Sequence, residues 1–173
     1  MNNQERAFDI CLEMLQQRDY EIVEEERDIM RIIALKPDGQ QMCVIFNSAP
    51  KFDTKSMKEI ISIMNELEVI HSLVIYRDSI TPATKSTLSQ TTDIIIELFA
   101  EEDLQYNITK HYLQPKFERL SDEEADEFKK KYGVKFGTLR LDRPISCFYN
   151  YQKGDIIRII RKDGYISYRI VKG

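Results

Sequence analysis

Apolar residues recur with two different periods along the chain. Within residues 3–17, Phe8, Cys11, Leu12 and Leu15 fall at i, i+3, i+4 and i+7, the spacing of one helical face. Met57, Ile60, Ile61 and Met64 repeat that spacing behind Asp53 or Thr54 as an N-cap, which predicts a second helix. Between them lie short stretches rich in Ile and Val, at 20–23, 29–35 and 42–46, that read as strands. Pro37-Asp38-Gly39 is turn chemistry and joins the last two as a hairpin. Residues 73–76 and 93–99 supply two more strands. Between them, Thr81 reads as an N-cap, with Pro82 at the first helical position, where no N–H is missed. Helices alternating with strands predict an α/β fold, a sheet covered by helices.

The remaining residues read as a smaller α+β unit. Ser121 and Glu124 form a capping box, each side chain satisfying the other's backbone N–H. Asp122, Glu123 and Glu124 stand at the positive end of that helix dipole, Lys129, Lys130 and Lys131 at the negative end, and Gly133 stops the helix. Residues 155–161 and 165–171 flank Lys162-Asp163-Gly164, a hairpin around an Asp-Gly turn. Alternation places Ile166, Tyr168 and Ile170 on one face and Tyr165, Ser167, Arg169 and Val171 on the other.

Charge divides the chain where the pattern does. The 173 residues are 42% hydrophobic and 31% charged, the composition of a folded protein of one domain or two small ones. Residues 1–106 carry 10 Lys/Arg against 20 Asp/Glu, net −10, and residues 107–173 carry 15 against 9, net +6. Two domains, 1–106 and 107–173, with different neighbours are expected. No Gly/Ser tether lies between them, so the junction near 106–114 is expected to be packed. An acidic half repels nucleic acid at long range, so a contact there must be local; a basic half suits phosphate or an acidic protein surface. No apolar run approaches a membrane span, and the N-terminus has no basic region followed by an apolar stretch, so neither a membrane protein nor a secreted one is expected. Three scattered cysteines argue for a reducing compartment and against a disulfide framework.

Most catalytic chemistry is missing. There is no phosphate-cradling glycine loop and no G-x-S-x-G elbow, and two histidines without a Cys-x-x-Cys pair leave little for zinc. His71 and His111 have no evident nucleophile or metal partner and are expected to be structural. The acidic sets Glu24–Glu26 and Glu97, Glu101, Glu102 and Asp103 are expected in solvated turns, and Cys147, near Arg140 and Arg143, as a small core residue. The Thr81-Pro82 helix start is different. Its N–H groups and dipole, with Lys85 adding a charge, suit a phosphate. The residues alone describe a two-unit, non-enzymatic adaptor with a local phosphate contact.

The order of several motifs resembles a known family. Residues 80–85 (Ile-Thr-Pro-Ala-Thr-Lys), Asn107-Ile-Thr-Lys-His111 followed by Leu113-x-Pro115, the capped helix running to Tyr132-Gly133-Val134, residues 153–161 and residues 165–171 together resemble the fifth subunit shared by eukaryotic RNA polymerases I, II and III, whose small archaeal relative resembles the C-terminal unit alone. The resemblance covers over half the chain; residues 1–79 match in rhythm, as a shortened N-terminal jaw. It implies a non-catalytic subunit of a DNA-directed RNA polymerase, without cofactor, metal or small-molecule substrate. The jaw is expected to be a three-layer α/β domain similar to restriction endonucleases, lying beside downstream duplex DNA with Thr81, Pro82, Ala83 and Lys85 toward it. The second unit is expected to be an assembly domain docking on the largest polymerase subunit. His111, Pro115, Tyr132, Pro144, Lys153, Gly154, Arg158, Arg161, Tyr168 and Arg169 are the docking residues this implies.

The chain also departs from the family's pattern. Residues 138–141 (Thr-Leu-Arg-Leu) lack its proline, Arg143 separates Asp142 from Pro144, and Cys147 stands where the family has arginine. The trimmed form suggests a large DNA virus with its own polymerase, hence virion and infected-cell cytoplasm; a cellular eukaryotic version would be nuclear. The alternatives are a free-standing nucleic-acid-binding module in 107–173 and a degenerate nuclease-fold protein. A nuclease of this kind needs an acidic residue and a Glu-x-Lys pair to hold Mg²⁺, and 42–47 and 73–76 have no such set.

Overall fold

Asn2 and Glu5 start the first helix by capping each other. Asn2 Oδ1 accepts from Glu5 N at 2.8 Å, and Glu5 Oε2 accepts from Asn2 N at 3.0 Å. Helix α1 (Asn3–Gln17) buries Ala7, Phe8, Cys11, Met14 and Leu15; Leu12 is half-buried, and Met14 takes the place expected for it. The computed structural model describes all 173 residues, in two units, Met1–Tyr106 and Asn107–Gly173.

The first unit is built on five strands, β1 (Glu21–Glu26), β2 (Arg31–Leu35), β3 (Gln41–Phe46), β5 (His71–Tyr76) and β7 (Ile95–Ala100), in the order β1-β2-β3-β5-β7. β1, β2 and β3 are antiparallel, and β3, β5 and β7 run parallel. Gly39, at φ +91°, supplies the left-handed residue that the β2–β3 turn requires. A small parallel pair, β4 (Lys51–Phe52) with β6 (Ser79–Ile80), stands apart from the main sheet. Glu24–Glu26 are not in a turn as expected: they lie in β1, opposite Ile33, Ile32 and Arg31, and the turn follows at 27–30. β1 is an edge strand, and exposed carboxylates there deter further pairing.

Helices cover both faces. Phe8 of α1 stacks on Phe46 at 6.0 Å between centroids. On the opposite face Ile33, Cys43, Ile45 and Val74 meet Met57, Ile60 and Met64 of α2 (Thr54–Glu66) and Leu88 of α3 (Pro82–Gln90). Asp53 caps α2 by accepting from Ser56 N at 2.9 Å, and that backbone hydrogen bond is the main reason its carboxyl titrates below the ordinary value.

Glu97 is the second correction. The expectation is a solvated turn with Glu101, Glu102 and Asp103, but it lies in β7 with its side chain only 11% exposed. Arg18 donates to both of its oxygens, at 2.8 and 2.9 Å, and His71 Nε2 lies 2.6 Å from Oε2. Burial pushes the Glu97 carboxyl up, but the His71 hydrogen bond and the Arg18 charge outweigh it and hold it below its ordinary value. Glu101–Leu104 is a short 3₁₀ turn after β7.

The second unit is a four-stranded sheet in the order β8-β10-β11-β9, with β8 (Lys116–Arg119), β9 (Thr138–Arg140), β10 (Ile156–Ile160) and β11 (Ile166–Lys172). β9 joins β11 in parallel and the other pairs are antiparallel. One face packs Ile157, Val171, Phe117, Leu139 and Ile159 against Tyr149 and Tyr151, at and just past the end of α5 (Pro144–Tyr149). The other face meets α4 (Asp122–Tyr132), which buries no residue completely. Phe128 of α4 packs on Tyr168 of β11 at 4.4 Å between ring centroids, with Tyr132 and Phe136 beside it at 4.9 and 5.3 Å. The Ser121 capping box forms: Ser121 Oγ accepts from Glu124 N at 3.2 Å. Cys147 is exposed rather than in the core, its thiol donating to the Leu141 carbonyl at 3.5 Å, because α5 turns Ile145, Ser146 and Phe148 inward instead.

Two measurements check this packing. Glu97 contributes stability above the unfolded carboxylate value near 4.5, and that contribution is lost as pH falls through its lower native value. Thermal melts from pH 7 to 3 should therefore show a steep acid decline that flattens in Glu97→Gln; parallel profiles would contradict the clamp. Ser121→Ala should cost about 1 kcal/mol and speed amide exchange in α4, and unchanged exchange there would contradict the cap.

Candidate nucleic-acid and docking surfaces

In the first unit the candidate site is the corner where β5 hands over to α3. Asp78 N donates to Pro50 O at 3.0 Å and Thr81 N to Phe52 O at 3.1 Å, so the corner is tied by backbone to the 47–52 loop. Phe52 is fully buried and anchors that loop from below. Asn47 holds its other end, its amide donating to Ala49 O at 3.1 Å. The helix start is thus fixed on both sides.

Thr81 caps α3 as expected. Its Oγ1 accepts from Thr84 N at 3.4 Å and lies 2.7 Å from the Thr84 hydroxyl, which is fully buried. Pro82, Ala83 and Lys85 are exposed and Thr81 is half-buried. The expected row of amide donors is shorter than the sequence suggests. Pro82 has no N–H, the Thr84 N–H goes to the cap, and the Lys85 N–H goes to Thr81 O at 3.1 Å. Ala83 N–H, the helix dipole and the Lys85 ammonium remain for an anion. Two exposed cations join them that sequence reasoning passed over. Lys51 is brought in by its pairing with Ser79, and Arg77 stands at the β5–β6 corner. The signal was faint, since a two-residue strand leaves no periodicity to read. The exposed Asp78 also belongs to this corner.

The ten residues expected to dock in the second unit do not form one surface. His111 is exposed, its ring stacked on Tyr112 at 4.9 Å, and its Nδ1 accepts from Leu113 N at 3.2 Å. Lys162, in the hairpin turn, lies 5.9 Å over the Tyr112 ring, and Arg161 lies 5.4 Å over Tyr165. Tyr132 and Tyr168 belong to the aromatic cluster under α4. Arg158 is engaged inside the unit, 3.3 Å from Glu118 and 3.4 Å from Glu124. Pro144 opens α5 at its first position, and Pro115, half-buried, precedes β8. Lys153 and Gly154 form the turn before β10, where Gly154, at φ +94°, donates from its N–H to Val171 O at 2.9 Å. Arg169 lies on the face opposite Tyr168, beside Gly137. Tyr112, Leu113, Tyr132, Val134, Tyr165 and Ile166 are exposed as well.

No three His, Cys, Asp or Glu side chains converge as a metal site, and no helix is long and apolar enough to cross a membrane.

Comparison with known proteins decides the family. Residues 106–171 match the model of the RNA polymerase Rpb5 C-terminal domain. A protein named as DNA-directed RNA polymerase subunit 454R of Invertebrate iridescent virus 6 is 35% identical, covering 96% of this chain and 98% of the viral one. The chain belongs to the Rpb5 family of DNA-directed RNA polymerase subunits. Cellular members are similar too. The rpabc1 subunit of polymerases I, II and III from Dictyostelium discoideum is 29% identical, with 92% of each chain covered. RPABC1 of Caenorhabditis elegans is 28% identical over 83% of this chain and 72% of its own. In this Rpb5 relative, the departures at 138–150 sit in β9, the following turn and α5.

Proposed function

We propose that this chain is a non-catalytic subunit of a multisubunit DNA-directed RNA polymerase. Its second unit docks on the largest subunit, and its first unit acts as a jaw beside downstream duplex DNA. The observation that carries this reading is the match to a viral polymerase subunit across nearly the whole of both chains, which includes both units. The same relative favours a viral polymerase, and with it the virion and the infected-cell cytoplasm.

The charge distribution supports the division of labour. The first unit, at net −10, is repelled by DNA as a whole and offers it one cationic corner, at Lys51, Arg77 and Lys85 around the α3 start. Such a contact positions a duplex by its backbone and reads no bases. The second unit, at net +6 with exposed aromatic and aliphatic side chains, suits a protein surface that is partly acidic and partly apolar.

The direct test is affinity purification of the tagged full chain from its native source. Near-equal recovery of the two largest polymerase subunits is expected; recovery of a clean monomer would overturn the docking reading. For the jaw, Thr81→Ala with Lys85→Ala in the assembled polymerase should weaken downstream DNA crosslinking by about 1 kcal/mol, equally across sequences. Unchanged crosslinking would remove the α3 start from the DNA path.

A further inference from the structure

Most arginines of the second unit are occupied. Arg119 is bonded to Asp122 and Asp155, Arg140 to Asp142, and Arg158 to Glu118 and Glu124, while Arg161 lies over an aromatic ring. Arg143 and Arg169 have no ion pair or hydrogen bond to their guanidinium groups. Arg169 differs from Arg143 in having a seat. A Cβ placed on Gly137 would come within 2.9 Å of both Cδ and Cζ of Arg169 and closer still to Nη1, so the side chain lies flat along the Gly137 backbone. The nearest atoms that this Cβ would meet all belong to Arg169. Gly137 is itself held in place, its carbonyl accepting from Ile170 N at 2.9 Å. Its φ is not in the left-handed region, so the backbone does not call for glycine there. What glycine supplies is room for the arginine.

We propose that Arg169 on Gly137 is a preformed anchor of the docking surface, shaped to take an aspartate or glutamate carboxylate of the polymerase subunit that binds this unit. The inference rests on the docking reading above. A guanidinium already laid along a backbone loses little freedom on pairing, and its planar fork matches a carboxylate with two parallel hydrogen bonds. The unit's net charge of +6 favours an acidic partner. Its surroundings favour protein over nucleic acid. Across the strand pair Arg169 lies opposite Ile157, which is buried in the core, and the next pair on that face is Ser167 with Ile159, both half-buried. These are apolar and neutral positions, not the row of cations that tracks a phosphate backbone.

Gly137→Ala separates this role from a merely structural one. Alanine tolerates the backbone there and its three nearest neighbours are atoms of a flexible side chain, so the fold stands while the guanidinium is displaced. The tagged full chain and its Arg169→Ala, Arg169→Lys, Gly137→Ala and Gly137→Ala/Arg169→Ala variants would be purified from the native source. The largest polymerase subunit recovered would be quantified by mass spectrometry, and each variant's melting followed by circular dichroism. Each single variant should lower recovery at least about five-fold with melting little changed, and the double variant should lose no more than the worse single. Unchanged recovery with Arg169→Ala, or losses that multiply in the double variant, would overturn the anchor while leaving docking intact. Absence of polymerase subunits with the unaltered chain would overturn docking and the anchor together. Salt-sensitive binding of the unaltered chain to a 20-base-pair duplex that is lost in Arg169→Ala would assign the arginine to phosphate and overturn the carboxylate.

Discussion

Glu97 lies inside a sheet with two partners against it, Arg18 from the end of α1 and His71 from the neighbouring strand. A lone carboxylate at that depth would be expelled or neutralised; bidentate pairing with Arg18 and a short hydrogen bond to His71 keep it ionised in place. The consequence is mechanical. α1 is fastened to β7, and β7 to the first residue of β5. β5 then runs the width of the sheet and delivers Arg77, the β4–β6 pair and the α3 start at its far end. The corner proposed to meet DNA therefore stands on a strand fixed at both ends, by the Glu97 cluster at one and by backbone bonds to the 50–52 segment at the other. His71 Nδ1 is buried without a partner, a local cost that the rest of the cluster outweighs.

Local chemistry was legible along the chain, and long-range pairing was not. Phe8, Cys11 and Leu15 revealed the buried face of α1, Thr81 and Pro82 the start of α3, and Ser121 with Glu124 the start of α4, because each signal lies within one or two helical turns. Glu97 read as a surface acid because its partners are 79 and 26 residues away. Glu24–Glu26 read as a turn because an edge strand with one half-buried side chain carries almost no alternation. Lys51 joined the candidate corner through a pair of two-residue strands, too short to leave a period. α5 and β9 were missed for the same reason, and Cys147 was misplaced with them. The Arg169 seat is of another kind: glycine at 137 carries no turn signal, and the reason for it appears only when β11 is laid beside it.

The two units solve different electrostatic problems. On the function proposed above, the first unit meets a polyanion while carrying net negative charge, so the attraction falls where the fold gathers Lys51, Arg77 and Lys85 at one corner. Weak, local, sequence-blind contact is what a guide for moving duplex requires, since a strong patch would hold the template still. The second unit carries the opposite charge. Arg119, Arg140 and Arg158 are neutralised by their own neighbours, while exposed cations such as Lys130, Lys135, Lys153, Arg169 and Lys172 are left to meet a partner. Departures from the family's pattern fall in β9, the following turn and α5.

On the proposed function, docking belongs to residues 107–173 and DNA contact to one corner of residues 1–106. Hydrogen exchange of the full chain tests it most directly, compared free, in the assembled polymerase, and in the polymerase bound to a downstream duplex. Assembly should protect amides of the second unit and leave residues 81–85 unchanged, and adding the duplex should then protect Ala83 and its neighbours. Protection at 81–85 on assembly without DNA, or none anywhere in 107–173, would contradict it.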